Sequence, residues 1–413
     1  MTATAQPISH RKILMFRTTP PSVYWLALGA FALGMASFVT AGLIPMIGQA
    51  FNVEVAVAAQ LVTVFSLAYG IGSPVVVALL PAHRQRFALL AALAVFLLAN
   101  VASALVDDFV ALLVSRAFAG LGAGVYLASA ITASSAVALL GQRGRAIAMI
   151  MTGMAAGTVL GVPCSLLLAE HAGWQAALWL IALLTGGAWL GLACSLGRLP
   201  AGPQIAISSR RLLLNNRKVI CILLVSLLAA ISSLGMYTFI APLLGNPEFG
   251  GIENIAPWLW AWGLGGVAGS VLIAPLAERI EGPLLTLIIL LILATALLLL
   301  PLAAALSPWL AMLAITLWGC VGWALQVPQN NSLIAERQAQ GDSNLAVALN
   351  ESALYLGSAL GAVAGGLLLL LALPVWTLAL SAGAVALLAA LVQFSSLRIA
   401  SSAALATAIG RCQ

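Results

Sequence analysis

Residues 197–218 read GRLPAGPQIAISSRRLLLNNRK, the longest charged connection in a chain that is otherwise almost continuously apolar. The segment opens on Pro200, Gly202 and Pro203 and closes on Arg210, Arg211, Arg217 and Lys218, the composition of a linker rather than of a packed element. Working outward from it, apolar runs of roughly 20 residues, the length that crosses a bilayer core, fall six on each side. They cover 22–50, 57–80, 87–106, 109–140, 145–169 and 174–196, then 219–244, 255–277, 283–304, 308–334, 345–371 and 374–397. The expected layout is therefore an N-terminal tail (1–21), a six-helix bundle (22–196), the basic linker (197–218), a second six-helix bundle (219–397) and a C-terminal tail (398–413).

Charge tests the count. If connections alternate between two sides, one side holds Arg11, Lys12, Arg17, Arg84, Arg86, Arg143, Arg145, Arg198, the four linker cations, Arg279, Arg337, Arg398 and Arg411. The other holds only Glu54, Asp107, Asp108, Glu170, Glu248 and Glu253. Lys and Arg in short loops stay cytoplasmic, which places both termini and the linker inside. One missed or invented span would mix the two sets, so the pattern supports an even number of spans.

Composition agrees. At 63% hydrophobic and 7% charged the chain is far from the quarter of charged residues usual in soluble domains, and its long unbroken runs do not fit the alternating ten-residue strands of a membrane barrel. The net charge of +6 is scattered over loops without interleaved aromatics, so positive-inside topology accounts for it and nucleic acid is not an expected partner. The first apolar run is too long for a signal peptide. Cys164, Cys194, Cys221, Cys320 and Cys412 lie in spans or in the C-terminal tail, with no CxxC or Cys/His spacing. His10, His83 and His171 lie in loops or the N-terminal tail. No metal, cofactor or disulfide is expected.

The two halves repeat. Gly34-Met35-Ala36-Ser37-Phe38-Val39 recurs as Gly235-Met236-Tyr237-Thr238-Phe239-Ile240, Gly72-Ser73 as Gly269-Ser270, and the ladder Gly153, Gly157, Gly161 as Gly357, Gly361, Gly365. With six spans per half the repeat is parallel, about an axis along the membrane normal, an arrangement in which a substrate site lies near the midplane between the bundles. The fold class is thus an all-α integral membrane protein of twelve transmembrane helices, two six-helix bundles related by a pseudo-two-fold repeat.

Within the spans two charges stand out. A charge at mid-helix is costly and usually faces a cavity or a partner. Arg116 is expected roughly 10 Å in from the acidic side and Glu351 roughly 10 Å in from the basic side, by the rise of 1.5 Å per residue, so the two are not expected to pair. Glu351 reads as a proton-carrying carboxyl, as a polar group bonded to substrate, or as an acid reaching back from a frayed helix end. Arg116 reads as a fixed positive charge organising the outer half of the first bundle, or as a structural Arg bonded to backbone carbonyls. Ser37, Tyr69, Tyr126, Tyr237, Thr238, Trp262, Trp318, Trp323, Gln326, Asn350 and Tyr355 are candidate cavity lining. Trp174, Trp258, Trp309 and Trp376 read as interfacial anchors. The glycine ladders permit close helix approach; they read as static packing or as an interface between bundles that slides, with Pro163 loosening its helix. No Walker motif is present, and Gly120, Gly122 and Gly124 lie inside a span rather than after a strand.

These residues resemble the major facilitator superfamily, and within it the twelve-span drug:proton antiporters near the arabinose or sugar efflux permeases. The likeness runs over nearly the whole chain. It is carried by Gly42-Leu43-Ile44-Pro45, Ala59 to Thr63 and Gly72-Ser73-Pro74; by Arg116 with Gly120, Gly122 and Gly124; by Gly153, Gly157, Gly161 and Pro163 with Gly173-Trp174; and by Trp318-Gly319 and the run from Ala348 to Gly366. The resemblance implies an exporter of the bacterial-type inner membrane, monomeric by family default, with a small-molecule substrate, protons and lipid as partners. It also implies a proton-coupling role for the Arg of the span-4 motif, here Arg116. Two departures are informative: Ser37 stands where such relatives carry an acid, and residues 81–86 lack the usual Asp. Glu351 is then the carboxylate left within a span. An uncoupled facilitator or a non-transporting sensor are the rival readings; no paired acids, HExxH or Ser/His arrangement points to an enzyme.

Overall fold

The computed structural model describes residues 20–79, 81–138, 142–197, 199, 216–252, 254–337 and 343–410. Most of the linker, the N-terminal tail with Arg11, Lys12 and Arg17, Glu253, Arg411 and Cys412 lie outside the described residues. Among the described residues the chain is helical without strands, and twelve helices are long and apolar enough to span a membrane. They are Pro21–Phe51, Val55–Val77, Gln85–Leu105, Phe109–Val137, Arg143–Ala172, Trp174–Ser195, Arg217–Tyr237, Ala256–Arg279, Gly282–Leu306, Pro308–Arg337, Ala346–Leu370 and Trp376–Arg398, here spans 1 to 12. The sequence boundaries agree within a few residues except at the end of span 7 and at the C-terminus. There the backbone stays helical to Gly410, so the expected tail from 398 continues the last helix.

Helix ends follow local chemistry. Asp108 accepts from the amide of Ala111 and Asn216 from those of Lys218 and Val219, satisfying first-turn donors, while Gly173 at φ 82° turns the chain between spans 5 and 6. Prolines interrupt span interiors. Ala68–Gly72 and Gly157–Gly161 are π turns, two residues before Pro74 and Pro163, where a missing N–H and the ring disturb the regular hydrogen-bond ladder. The loosening expected at Pro163 takes this form. Span 7, continuous to 244 by sequence, instead breaks at Thr238–Phe239 and resumes as Ile240–Leu244.

The repeat is visible in packing. In the first half span 1 packs on spans 5 and 6, span 2 on span 4, and span 3 on spans 4 and 6; in the second, span 7 packs on 11 and 12, span 8 on 10, and span 9 on 10 and 12. Matching glycines make matching contacts: a Cβ at Gly120 would strike the carbonyl of Phe65, and one at Gly319 that of Trp262. Large apolar side chains such as Leu183, Leu313 and Leu391 remain exposed on the outside of the bundles, as hydrocarbon surroundings allow.

The halves meet unevenly. Span 11 packs on Val55–Ala58, Gln60–Leu67 and the Ala68–Gly72 turn of span 2, and span 8 on the Gly157–Gly161 turn and Val162–Ala172 of span 5. The end piece of span 7 packs on span 1. Apart from the Ala68–Gly72 turn, which lies past the middle of its span, these parts are nearer the acidic face, where Asn254 also donates to Glu170 at 3.4 Å. The structure is closed there.

Candidate functional site

At mid-depth the two halves touch through a layer of hydroxyls and rings. Span 1 brings Ser37 and Phe38; consecutive helical residues are about 100° apart around the axis, so both reach the interface on neighbouring lines. Ser37 Oγ lies 3.2 Å from the Tyr355 hydroxyl, and Ser66 Oγ donates to Ser358 Oγ at 3.4 Å. The Tyr69 ring, carried on the π turn of span 2, stacks on Tyr355 of span 11 with centroids 3.5 Å apart and planes 18° from parallel. Phe38 meets Tyr237 edge-on at 5.4 Å and Trp262 at 5.9 Å, and Tyr237 lies 4.5 Å from Trp262. Enclosed by this layer is a cavity of about 10 Å³ lined by Ser37, Phe38, Ser66, Tyr237, Thr238 and Tyr355 among others, room for about one water.

Of the sequence candidates, Ser37, Tyr69, Tyr237, Thr238 and Tyr355 thus come together at the interface. Trp318 and Trp323 stand behind it in the second half, edge-on to Trp262; Trp318 Nε1 donates to Ser233 Oγ at 2.7 Å. Gln326 is exposed at the break in span 10, four residues before Asn330, which accepts from Asn350 at 2.9 Å in a partly buried pair. Trp318, Trp323, Gln326 and Asn350 do not line the cavity, and Tyr126 is further removed: it is fully buried inside the first half and donates to the carbonyl of Leu26 at 2.8 Å. It ties span 4 to span 1 and does not line the cavity.

The glycine ladders also settle elsewhere than a sliding interface between bundles. Gly153 and Gly157 face the carbonyls of Ala27 and Phe31, and Gly161 the Met35 side chain; Gly357, Gly361 and Gly365 face Leu227, Ile231 with Gly235, and the Phe239 ring. Both ladders pack within a half, span 5 on span 1 and span 11 on span 7. Trp174 is likewise buried, 5.7 Å from Phe51, whereas Trp309 and Trp376 are exposed as anchors should be.

Arg116 is buried and unpaired with any carboxylate among the described residues. Its Nη2 donates to the carbonyl of Ala36 at 2.8 Å and its guanidinium lies 4.7 Å from the centre of the Phe65 ring. The neighbouring residue of that acceptor is Ser37. Glu351, on the basic-face side of span 11, is partly exposed and one helical turn before Tyr355; it lies within electrostatic range of the Tyr69 and Tyr355 phenols. Sequence reasoning passed over Ser66 and Ser358, because a Ser in a span ordinarily bonds its own preceding turn. Phe38 had one signal, its recurrence as Phe239.

The family description "Major Facilitator Superfamily" matches residues 26–362 of this chain. The inner membrane transport protein YdhP of Escherichia coli K12 is 28% identical over 342 residues, 83% of this chain and 87% of that one. A chloramphenicol resistance protein of Streptomyces lividans is 31% identical over 280 residues, 64% and 71% of the two chains. Among solved structures, a D-xylose-proton symporter superposes with a TM-score of 0.72 at 15% identity over 90% of this chain and 96% of the other. A family match across most of the length, joined to twelve spans in two repeated halves, means that this chain belongs to the Major Facilitator Superfamily and is a multi-pass membrane transporter rather than an enzyme.

Proposed function

We propose that the protein exports a small organic molecule across the bacterial inner membrane in exchange for protons, its two halves rocking about the mid-depth layer. The observation that carries this reading is the junction itself. Aromatic faces and hydroxyls from both halves converge there, without a charged lining residue, on a site in line with Glu351. A weakly polar, ring-lined junction suits neutral or amphipathic molecules such as drugs or sugar analogues, and a chloramphenicol resistance protein among the relatives supports drug export.

The one-sided distribution of Lys and Arg orients the basic face and both termini toward the cytoplasm. On that orientation the close packing between the halves lies toward the outside and Glu351 lies on the inner side of the junction. Among the described residues Glu351 is the only carboxylate away from the ends of a span. An acid at this depth is an expensive feature that transporters retain for ion coupling. Arg116, hydrogen-bonded beside Ser37, would hold the neighbouring segment of span 1 in place as the halves move.

The test is energised efflux from pump-deficient cells across dyes, chloramphenicol and other antibiotics, and sugar analogues, comparing wild type with Glu351→Gln at matched expression. Loss of uphill export with retained downhill exchange is the expected result. Uphill pumping by Glu351→Gln at the wild-type rate would reject the coupling role. Ser37, a neutral residue at the junction, favours an uncoupled facilitator as the second reading. A flux insensitive to protonophore in wild type would select it.

A further inference from the structure

Tyr355 occupies a place that neither a lining role nor simple packing accounts for fully. It touches the opposite half through both its ring and its hydroxyl: the ring stacks on Tyr69 and the hydroxyl meets Ser37. Glu351 lies four residues before Tyr355 in the same helix, Ser343–Leu370, so the two side chains share one face a turn apart. Among the other elements packed on span 11, span 7 presents Tyr237. The charged residues Arg217, Lys218, Glu336, Arg337 and Arg398 lie at the basic-face ends of spans 7, 10 and 12. Lys218 is held by Glu336 at 3.3 Å.

Resting on the antiport reading, we propose that Tyr355 is a positioning residue that converts the charge state of Glu351 into closure of the two halves on the acidic face. A protonated carboxyl is neutral and leaves the Ser37–Tyr355 contact and the tyrosine stack undisturbed. A carboxylate only accepts hydrogen bonds, and the Tyr355 phenol, one turn along the same helix face, is a donor it can draw away from Ser37. When Glu351 loses its proton to water on the basic side, its O–H bond breaks, the electron pair stays on the carboxylate, and the Tyr355 phenol turns toward the new charge. The contact with Ser37 then weakens and the acidic face is released to open. Protonation from the acidic side restores the closure, so each cycle carries one proton inward, the direction antiport requires. Loss of one hydrogen bond of ordinary strength corresponds to about a fivefold shift in such an equilibrium.

The experiment reads closure directly and needs no substrate. Spin labels on Glu54→Cys and Glu248→Cys, both exposed on the acidic face in opposite halves, are introduced into full-length protein with its five native cysteines replaced. Distances are measured in lipid nanodiscs at pH 6 and pH 8. The expected result is an open fraction that rises about fivefold with pH in the wild-type background, stays low at both values in Glu351→Gln, and ceases to depend on pH in Tyr355→Phe and in Ser37→Ala. Ser37→Ala guards against a folding defect in the tyrosine variant, and elution at the wild-type volume in gel filtration establishes integrity of each. A wild-type pH response in both Tyr355→Phe and Ser37→Ala overturns the proposal while leaving proton coupling through Glu351 standing. An unchanged response in Glu351→Gln removes both together.

Discussion

Gly157→Ala adds one methyl group where none fits. The new Cβ would sit against the carbonyl oxygen of Phe31, with that carbonyl carbon and the Phe31 Cα at 2.8 and 3.0 Å. These are backbone atoms of span 1, so no rotamer change relieves the clash and the two helices must separate. Overpacking of this kind costs about 1–3 kcal/mol, and an immovable neighbour puts the cost near the upper figure. Against it stands the gain in helix propensity, about 1 kcal/mol for Gly to Ala. The net expectation is a loss of about 2 kcal/mol. Gly187→Ala in span 6 is the internal control, because a Cβ there meets nothing within 4 Å and only the propensity gain of up to about 1 kcal/mol remains. The two variants should differ by roughly 3 kcal/mol in opposite directions from wild type. Gly161→Ala should fall between them, since the Met35 side chain it meets can move. Reversible unfolding in mixed micelles by titrating sodium dodecyl sulfate, followed by circular dichroism, supplies the comparison. A Gly157→Ala protein as stable as wild type would refute the packing account, as would equal losses at 157 and 187.

Other consequences are open to the same methods. Tyr126→Phe should lower stability by about 1 kcal/mol through the lost bond to Leu26 while leaving substrate selectivity in the efflux panel unchanged; altered selectivity would return Tyr126 to the cavity. Trp318→Phe and Ser233→Ala break one shared 2.7 Å hydrogen bond, so their costs should be clearly less than additive in a double-mutant cycle. Additive losses would mean that each side chain acts alone. Lys218→Ala removes an ion pair whose Lys is 74% exposed, and the change in unfolding midpoint should be close to zero, as surface pairs contribute little.

Much of the architecture is legible in the sequence. Apolar runs and the confinement of Arg and Lys to one set of connections together count the spans, because a bilayer imposes one dominant constraint, that a span be long, apolar and internally hydrogen-bonded. The repeat, too, was readable in Gly34 and Gly235, and the structure returns it as equivalent helix pairs. The site was legible only in part. Ser37, Tyr69, Tyr237 and Tyr355 stand out as polar or aromatic residues in spans, but so does Tyr126, and composition cannot say which face of a helix looks inward to its own bundle and which looks across to the other.

What the sequence determined alone is therefore the class, the number of spans, the two-fold repeat and the identity of the two intramembrane charges, since these depend on local composition summed along the chain. Tertiary structure decided everything that depends on which faces meet. It turned the glycine ladders into seams within each half, seated Arg116 on a backbone carbonyl and the Phe65 ring, and withdrew Trp174 from the membrane interface. It also brought Ser37 to Tyr355 across 318 residues of sequence. Helical periodicity records that a residue lies on a given stripe of its own helix, whereas the partner of that stripe is chosen by packing between helices far apart in the chain.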